Sequence, residues 1–168
     1  MINKIKGTQD ILPSEINKWQ DLEEVMRNVS KLFNFKEIRT PIFEASELFH
    51  RSVGETTDIV KKETYDFEDR GSRMNTLRPE GTAGVVRSVI ENKLYTDPNL
   101  PLKLYYYGPM FRYERPQKGR QRQFHQFGAE IIGSNSPLVD AEVINFAATY
   151  LKALKINDIN IRVNSLGD

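Results

Sequence analysis

The sequence predicts an α+β domain built around a mainly antiparallel sheet. Two observations carry that expectation. Long runs near 102–113 and 122–132 flank the polar stretch ERPQKGRQ, and a shorter pair, ETYDF and SRMNTLRP, flanks Glu68-Asp69-Arg70-Gly71; both read as hairpins. Helical patterns fall between them without the strand–helix–strand cadence of a parallel sheet. At 168 residues the chain suits one domain, or one large piece of a larger one. A chain of this size buries roughly 70% of its unfolded surface, so a proper core is expected.

From the N-terminus, Ser14 follows Pro13 and is placed to cap a helix over 14–33. Within it Ile16, Trp19, Leu22, Met26, Val29 and Phe33 recur at helical spacing and form a core stripe. FKEIRTPIFE (35–44) reads as extended, with Pro41 calling for an edge strand or a break. SELFHR is a short helix, and 63–79 is the first hairpin. A second helix runs from Ala83 to Leu94 and is expected to bury Val85, Val86, Val89, Ile90 and Leu94. TDPNLP is a loop before the long hairpin. Ser136 caps a last helix, with Pro137 at its first position, running to about Leu154. INIRV (159–163) alternates as a final strand.

Bulk composition narrows the function classes. With 24 basic and 23 acidic residues the net charge is +1, so only local patches can speak for nucleic acid. There is no cysteine, which removes disulfide frameworks and thiolate metal sites, and the two histidines, His50 and His125, argue against a multi-histidine metal centre. No protein metal site is expected. Nothing approaches the ~18 consecutive apolar residues of a membrane helix, and the first residues lack a signal-peptide core. A cytoplasmic protein is the expectation. No Walker loop, GxGxxG, GxSxG or HExxH is present.

The long hairpin is unusual in its charges. Side chains alternate between the two faces of a strand. Tyr106, Gly108, Met110, Arg112 and Glu114 share one face of the first strand; Phe124, Gln126, Gly128 and Glu130 share one face of the second. The opposite set of the second strand, His125, Phe127, Ala129 and Ile131, is mainly apolar and suits contact with helices. If the polar faces coincide, the glycines leave a floor that a ligand can approach, Arg112 offers a fork of donors to a carboxylate or phosphate, and Glu130 offers an acceptor. The alternative is a half-exposed hairpin with its charges in water. The basic loop, Arg115, Lys118, Arg120 and Arg122 around Gly119, suits polyphosphate or an RNA end, or is a solvated tip. In LRPEGTAG (77–84) a strand runs into a helix start, and Glu80 is either a cap or, with Thr82, a site for an ammonium group.

These residues carry a resemblance. FRYERPQKGRQRQFHQFGAEIIG resembles the motif 2 strand–loop–strand of class II aminoacyl-tRNA synthetases, and among them the histidyl-tRNA synthetase family. TLRPEGTAGVVR is similar to that family's histidine-binding segment, KGTQDILP to its N-terminal start, FNFKEIRTPIFE to its motif 1 with Pro41 at the motif proline, and INIRVNSLGD fits as well. The resemblance covers the whole chain.

It implies a class II-like, mainly antiparallel sheet flanked by helices and incomplete here. Residues 1–168 would be the N-terminal portion of the catalytic domain, holding motifs 1 and 2. Motif 3, the histidine-specific arginine-and-tyrosine segment and the anticodon-binding domain are not in the sequence. The implied activity is ATP-dependent activation of L-histidine to histidyl-adenylate and transfer to tRNA(His), with Mg²⁺ bridging phosphates. Adenylate formation by this stretch alone is expected to be crippled. By the same resemblance Glu80, Gly81 and Thr82 would bind the histidine α-amino end, with Gln126 beside them, and Glu130 would accept an imidazole N–H. Arg112 would be the catalytic group, spanning the histidine carboxylate and the ATP α-phosphate. Phe124 would stack on adenine, Glu114 would bond its amino edge and Arg120 would hold the γ-phosphate. Motif 1 implies a homodimer packed about Pro41. His50 and His125 receive no role. The competing reading is a synthetase-like regulatory subunit of ATP phosphoribosyltransferase in histidine biosynthesis; against it, RPEGT, FRYERPQKGR and QFGAE are intact. A nucleic-acid-binding module without catalysis, resting on the basic loop, is a third.

Overall fold

The computed structural model describes residues 1–52 and 63–164. The chain forms two compact units, each discontinuous in sequence: Met1–Ile11 with Lys36–Ser134, and Leu12–Phe35 with Asn135–Asp168.

The first unit holds the strands. Strand β1 (Lys36–Glu37) lies parallel to β5 (Leu102–Phe111), and β5 pairs antiparallel with β6 (Gln123–Ile132). A second sheet has the order β2-β4-β3, from Phe43–Ala45, Met74–Leu77 and Tyr65–Glu68, with antiparallel neighbours. The break between β1 and β2 falls at the segment holding Pro41, whose nitrogen has no hydrogen to give to a ladder. Helix α2 (Ser46–Ser52) follows β2, and helix α3 (Thr82–Glu91) follows β4. The mainly antiparallel α+β architecture is as expected.

The core of this unit corrects one expectation. Val85 and Val89 of α3 pack on Leu104, Tyr106 and Met110 of β5, with Phe124 and Ile132 of β6 at the margin. The helix therefore covers the face that carries Arg112 and Glu130, not the face of Phe127 and Ile131. Alternation fixes which residues share a face but not which face a helix covers, and Leu104 and Met110 make the charged face apolar in its middle. Val86 and Ile90 were expected to be buried; they are 41% and 61% exposed, because α3 turns a stripe only one side chain wide onto the sheet.

The second unit pairs α1 (Ile16–Leu32) with α4 (Pro137–Ala153). Met26, Val29, Phe35 and Phe146 are its buried apolar residues, and Phe146 stacks on Phe35 at 4.6 Å and meets Phe33 edge-on at 5.4 Å. Ser136 caps α4 as expected, its hydroxyl accepting from the Leu138 amide at 3.3 Å. Ser14 does not cap α1. The Leu12 carbonyl accepts from both Glu15 and Ile16, so the chain makes a turn first, and Glu15 stands at the helix start without a side-chain cap bond. Residues 159–163 are not a strand: no described residue pairs with them, and Ile161 and Val163 are 52% and 75% exposed. Of the closing segment INIRVNSLGD, residues 165–168 lie outside the described residues.

Candidate functional site

The register of the long hairpin settles whether its polar faces coincide. Gly108 stands opposite Gln126, Tyr106 opposite Gly128, Met110 opposite Phe124 and Leu104 opposite Glu130. Directly opposed residues point to the same side of a sheet. Arg112, Phe124, Gln126 and Glu130 therefore share one face.

The glycines do not leave an open floor. A Cβ on Gly108 would run into the Arg78 guanidinium, and one on Gly128 would fall on the Tyr106 ring. The spaces are filled by protein side chains, which sequence alternation alone could not show.

At the loop end of this face is a cleft of about 540 Å³ whose lining includes Glu63, Arg112, Glu114, Arg120 and Phe124. Arg112 is fixed from behind: its Nε donates to the Pro79 carbonyl at 2.9 Å, and its guanidinium lies 5.2 Å from the Phe124 ring centre. Both contacts leave its terminal nitrogens available to a ligand. Glu114 lies between two arginines, 3.1 Å from Arg120 and 3.9 Å from Arg112. The basic loop is ordered by reciprocal amide–carbonyl bonds between Gln117 and Arg120, with Gly119 at φ +83 in the turn. Arg122 does not reach into solvent as a phosphate contact; its guanidinium sits 4.1 Å from the Tyr113 ring centre and its stem packs on Gly7. His125, to which no role was given, stacks on Tyr107 at 5.5 Å, although it also borders the cleft.

At the other end of the face, α3 meets β6. The Glu80 carboxylate accepts from the amides of Thr82 at 2.5 Å and Ala83 at 3.0 Å, so it caps the helix, whose preceding residue, Gly81, has no side chain to do so. The Thr82 hydroxyl donates to Glu130 at 2.8 Å. Burial pushes the Glu130 carboxyl above its ordinary value; the Thr82 bond opposes this and the Glu80 charge adds to it. Gln126 Oε1 is buried and has no hydrogen-bond partner among the described residues. Two acids at one place suit a cationic or N–H-rich ligand, and Gln126 adds an orphan acceptor on the same face. Pro41 is exposed, on the segment leading into β2.

Two residues were missed from sequence. Arg78 is buried and donates to the Pro109 carbonyl at 2.9 Å and the Thr40 carbonyl at 3.0 Å, tying the Pro41 segment to β5. Tyr106 links α3 to β6. The available signal was size: a bulky aromatic in register with small residues.

The family model described as Histidyl-tRNA synthetase matches residues 7–167. The chain belongs to the histidyl-tRNA synthetase family. It is 62% identical to the histidine–tRNA ligase of Geobacillus sp. (strain WCH70) over 163 residues, which are 97% of this chain and 38% of that protein. It is 58% identical to that of Desulfitobacterium hafniense (strain DSM 10664 / DCB-2), over 99% of this chain and 39% of the relative. The chain thus spans under two-fifths of the length of these curated relatives. Among solved structures, apo S. aureus histidyl-tRNA synthetase superposes with a TM-score of 0.78 at 48% identity, covering 91% of this chain and 35% of that one. A Bacillus halodurans protein described as an ATP phosphoribosyltransferase regulatory subunit/histidyl-tRNA synthetase gives 0.79 at 26% identity, covering 94% of this chain and 39% of that one.

Proposed function

We propose that the protein to which this chain belongs activates L-histidine with ATP and transfers it to tRNA(His). The observation that carries this reading is the shared face of β5 and β6: the cleft lined by Arg112, Glu114, Arg120 and Phe124 lies at its loop end, and Gln126 and Glu130 lie further along it, where Glu130 accepts from Thr82 of α3. Adenine would stack on Phe124, with its amino edge at Glu114 and the γ-phosphate at Arg120. The histidine α-amino group would meet the orphan Gln126 Oε1 with Glu80 and Thr82, at the start of α3. The imidazole would donate to Glu130.

The residue types suit the reaction. A histidine carboxylate attacking the α-phosphorus needs no deprotonation, and pyrophosphate leaves as the acyl-phosphate bond forms. Catalysis then rests on holding the two reactants in line and on neutralising charge spread over phosphoryl oxygens. Arg112, anchored by Pro79 and Phe124, is pre-set for that task. Mg²⁺ would supply further neutralisation between the phosphates, with phosphate oxygens as its main ligands. No group of three or more His, Cys, Asp and Glu among the described residues forms a metal cage. We place the protein in the cytoplasm as a homodimer; no described helix is long and apolar enough to cross a membrane.

Histidine-dependent pyrophosphate exchange by the full-length protein tests the reading, and its absence would favour the regulatory-subunit alternative that the Bacillus halodurans likeness keeps in view. Replacing Arg112 with Ala should cost at least ~3 kcal/mol in adenylation, the scale of losing one preorganised charge-stabilising donor. A loss below threefold would remove Arg112 from the role given to it.

A further inference from the structure

Residues 5–8 lie in the strand-bearing unit and hold no role in the site described above. They form a turn: the Thr8 amide and hydroxyl both donate to the Ile5 carbonyl, at 3.0 and 2.7 Å. Gly7, third in the turn, is buried and has φ +89, a left-handed backbone that residues with a Cβ adopt only at a cost. A Cβ there would also fall 2.7 Å from the Arg122 Cγ. The turn delivers the Gly7 carbonyl to the base of the loop between β5 and β6, where it accepts from the amides of Arg122 at 2.7 Å and Gln123 at 3.1 Å. Arg122 is tied on its other sides as well. Its carbonyl accepts from the Arg112 amide at 2.9 Å, its Nε donates to the Glu114 carbonyl at 3.3 Å, and its guanidinium covers the Tyr113 ring. Arg120 and Phe124 stand on either side of this anchored pair, and both line the cleft. The Gln117–Arg120 bonds shape the tip of the loop, whereas the Gly7 carbonyl anchors its base.

We propose that the Ile5–Thr8 turn is a clasp for the nucleotide end of the site: Gly7 is a positioning residue that, by holding Arg122 and Gln123, sets Arg120 and Phe124 where they receive ATP. This rests on the reading of Arg120 and Phe124 as the γ-phosphate and adenine contacts. A loop anchored before the ligand arrives leaves less ordering to the binding step. The anchor is a backbone carbonyl on a turn with its own closing bonds, so it reaches the loop without a long side chain to order. Glycine is required at its centre twice over, for the left-handed backbone and for the room that the Arg122 stem takes.

The test uses the full-length protein and pyrophosphate exchange. Gly7→Ala forces either the turn or the Arg122 stem to move. It should raise the ATP KM about tenfold, the scale of one or two ordinary hydrogen bonds, and leave the histidine KM within about twofold. In an Arg120→Ala background the same change should raise the ATP KM by less than about threefold, because one of the groups it positions is gone. A protein lacking residues 1–8 loses the clasp without pressing on Arg122; it should give the same ATP-selective loss and decides the matter if Gly7→Ala does not fold. A merely structural Gly7 would lower the rate through the folded fraction and leave both KM values unmoved, and that result would overturn the proposal. So would parallel losses for ATP and histidine, or equal losses in both backgrounds. Arg120→Ala weakening ATP while Gly7→Ala and the truncation are silent would overturn the clasp and leave the ATP reading standing. A silent Arg120→Ala would remove that reading and the proposal together.

Discussion

Glu130 is held in a place that disfavours its own charge. Burial is the largest cause of its raised pKa, and the nearby Glu80 carboxylate adds to it. An acid whose folded-state pKa lies above its unfolded value binds protons more readily in the fold. Its ionisation therefore costs stability fully above the folded-state pKa, and the cost disappears as pH falls to the ordinary carboxyl value. Glutamine keeps an acceptor for Thr82 and has no charge to bury. Glu130→Gln in this chain should thus raise Tm at pH 7, by a few degrees at about 2–4 °C per kcal/mol for this size, and the gain should shrink toward zero near pH 4. Thermal melts of both proteins across that range check the sign. A gain that grows as pH falls, or a loss at pH 7, would show that Glu130 is stabilised by its surroundings and not strained by them. The strain fits an acceptor that waits for a cationic or N–H ligand.

At the scale of elements, the hairpin separates two uses of glycine. Gly119 sits at the loop turn with φ +83, and nothing lies within 4 Å of where its Cβ would be. Gly128 sits mid-strand without a left-handed backbone and directly against the Tyr106 ring. Gly119→Ala should therefore cost only the backbone term, about 1–2 kcal/mol, and leave the sheet intact. Gly128→Ala should cost at least as much, about 1–3 kcal/mol, through overpacking against a buried aromatic. Denaturant melts of the two variants compare them; a neutral Gly128→Ala would mean that the ring has room to move. The same hairpin shows how far sequence could be read. Alternation put Arg112, Gln126 and Glu130 on one face, because strand period is a local property. It did not reveal that Arg78 and Tyr106 fill the glycine spaces or that α3 covers this face, because those are contacts between different elements, not within one strand. Residues 159–163 failed for a related reason: their alternation is real, but a strand exists only where another segment offers hydrogen bonds, and none of the described residues does.

At the scale of the molecule, the small sheet β2-β4-β3 presents apolar side chains to solvent. Phe43 and Phe67, on the strands either side of β4, meet edge-on at 5.9 Å and are 54% and 40% exposed; by register Leu77 and Tyr65 share their face. Single exposed apolar residues are ordinary, but a contiguous aromatic pair with apolar neighbours is the mark of a surface made to be covered. Pro41 lies at the edge of this patch, on the segment that resembles motif 1, and Arg78 ties that segment to β5 through the Thr40 carbonyl. The proposed homodimer would use this surface, and its order would reach the catalytic strands by way of Arg78. A charge at the centre of such an interface is buried without a partner. Phe67→Asp in the full-length protein should weaken self-association by at least ~2 kcal/mol, roughly 30-fold in Kd, since an aromatic anchor is lost and a carboxylate desolvated. Sedimentation equilibrium at micromolar concentration should then find one subunit where the parent has two. If the parent is dimeric and Phe67→Asp remains so with unchanged affinity, the partner sits elsewhere on the molecule and this patch answers to something other than a second copy.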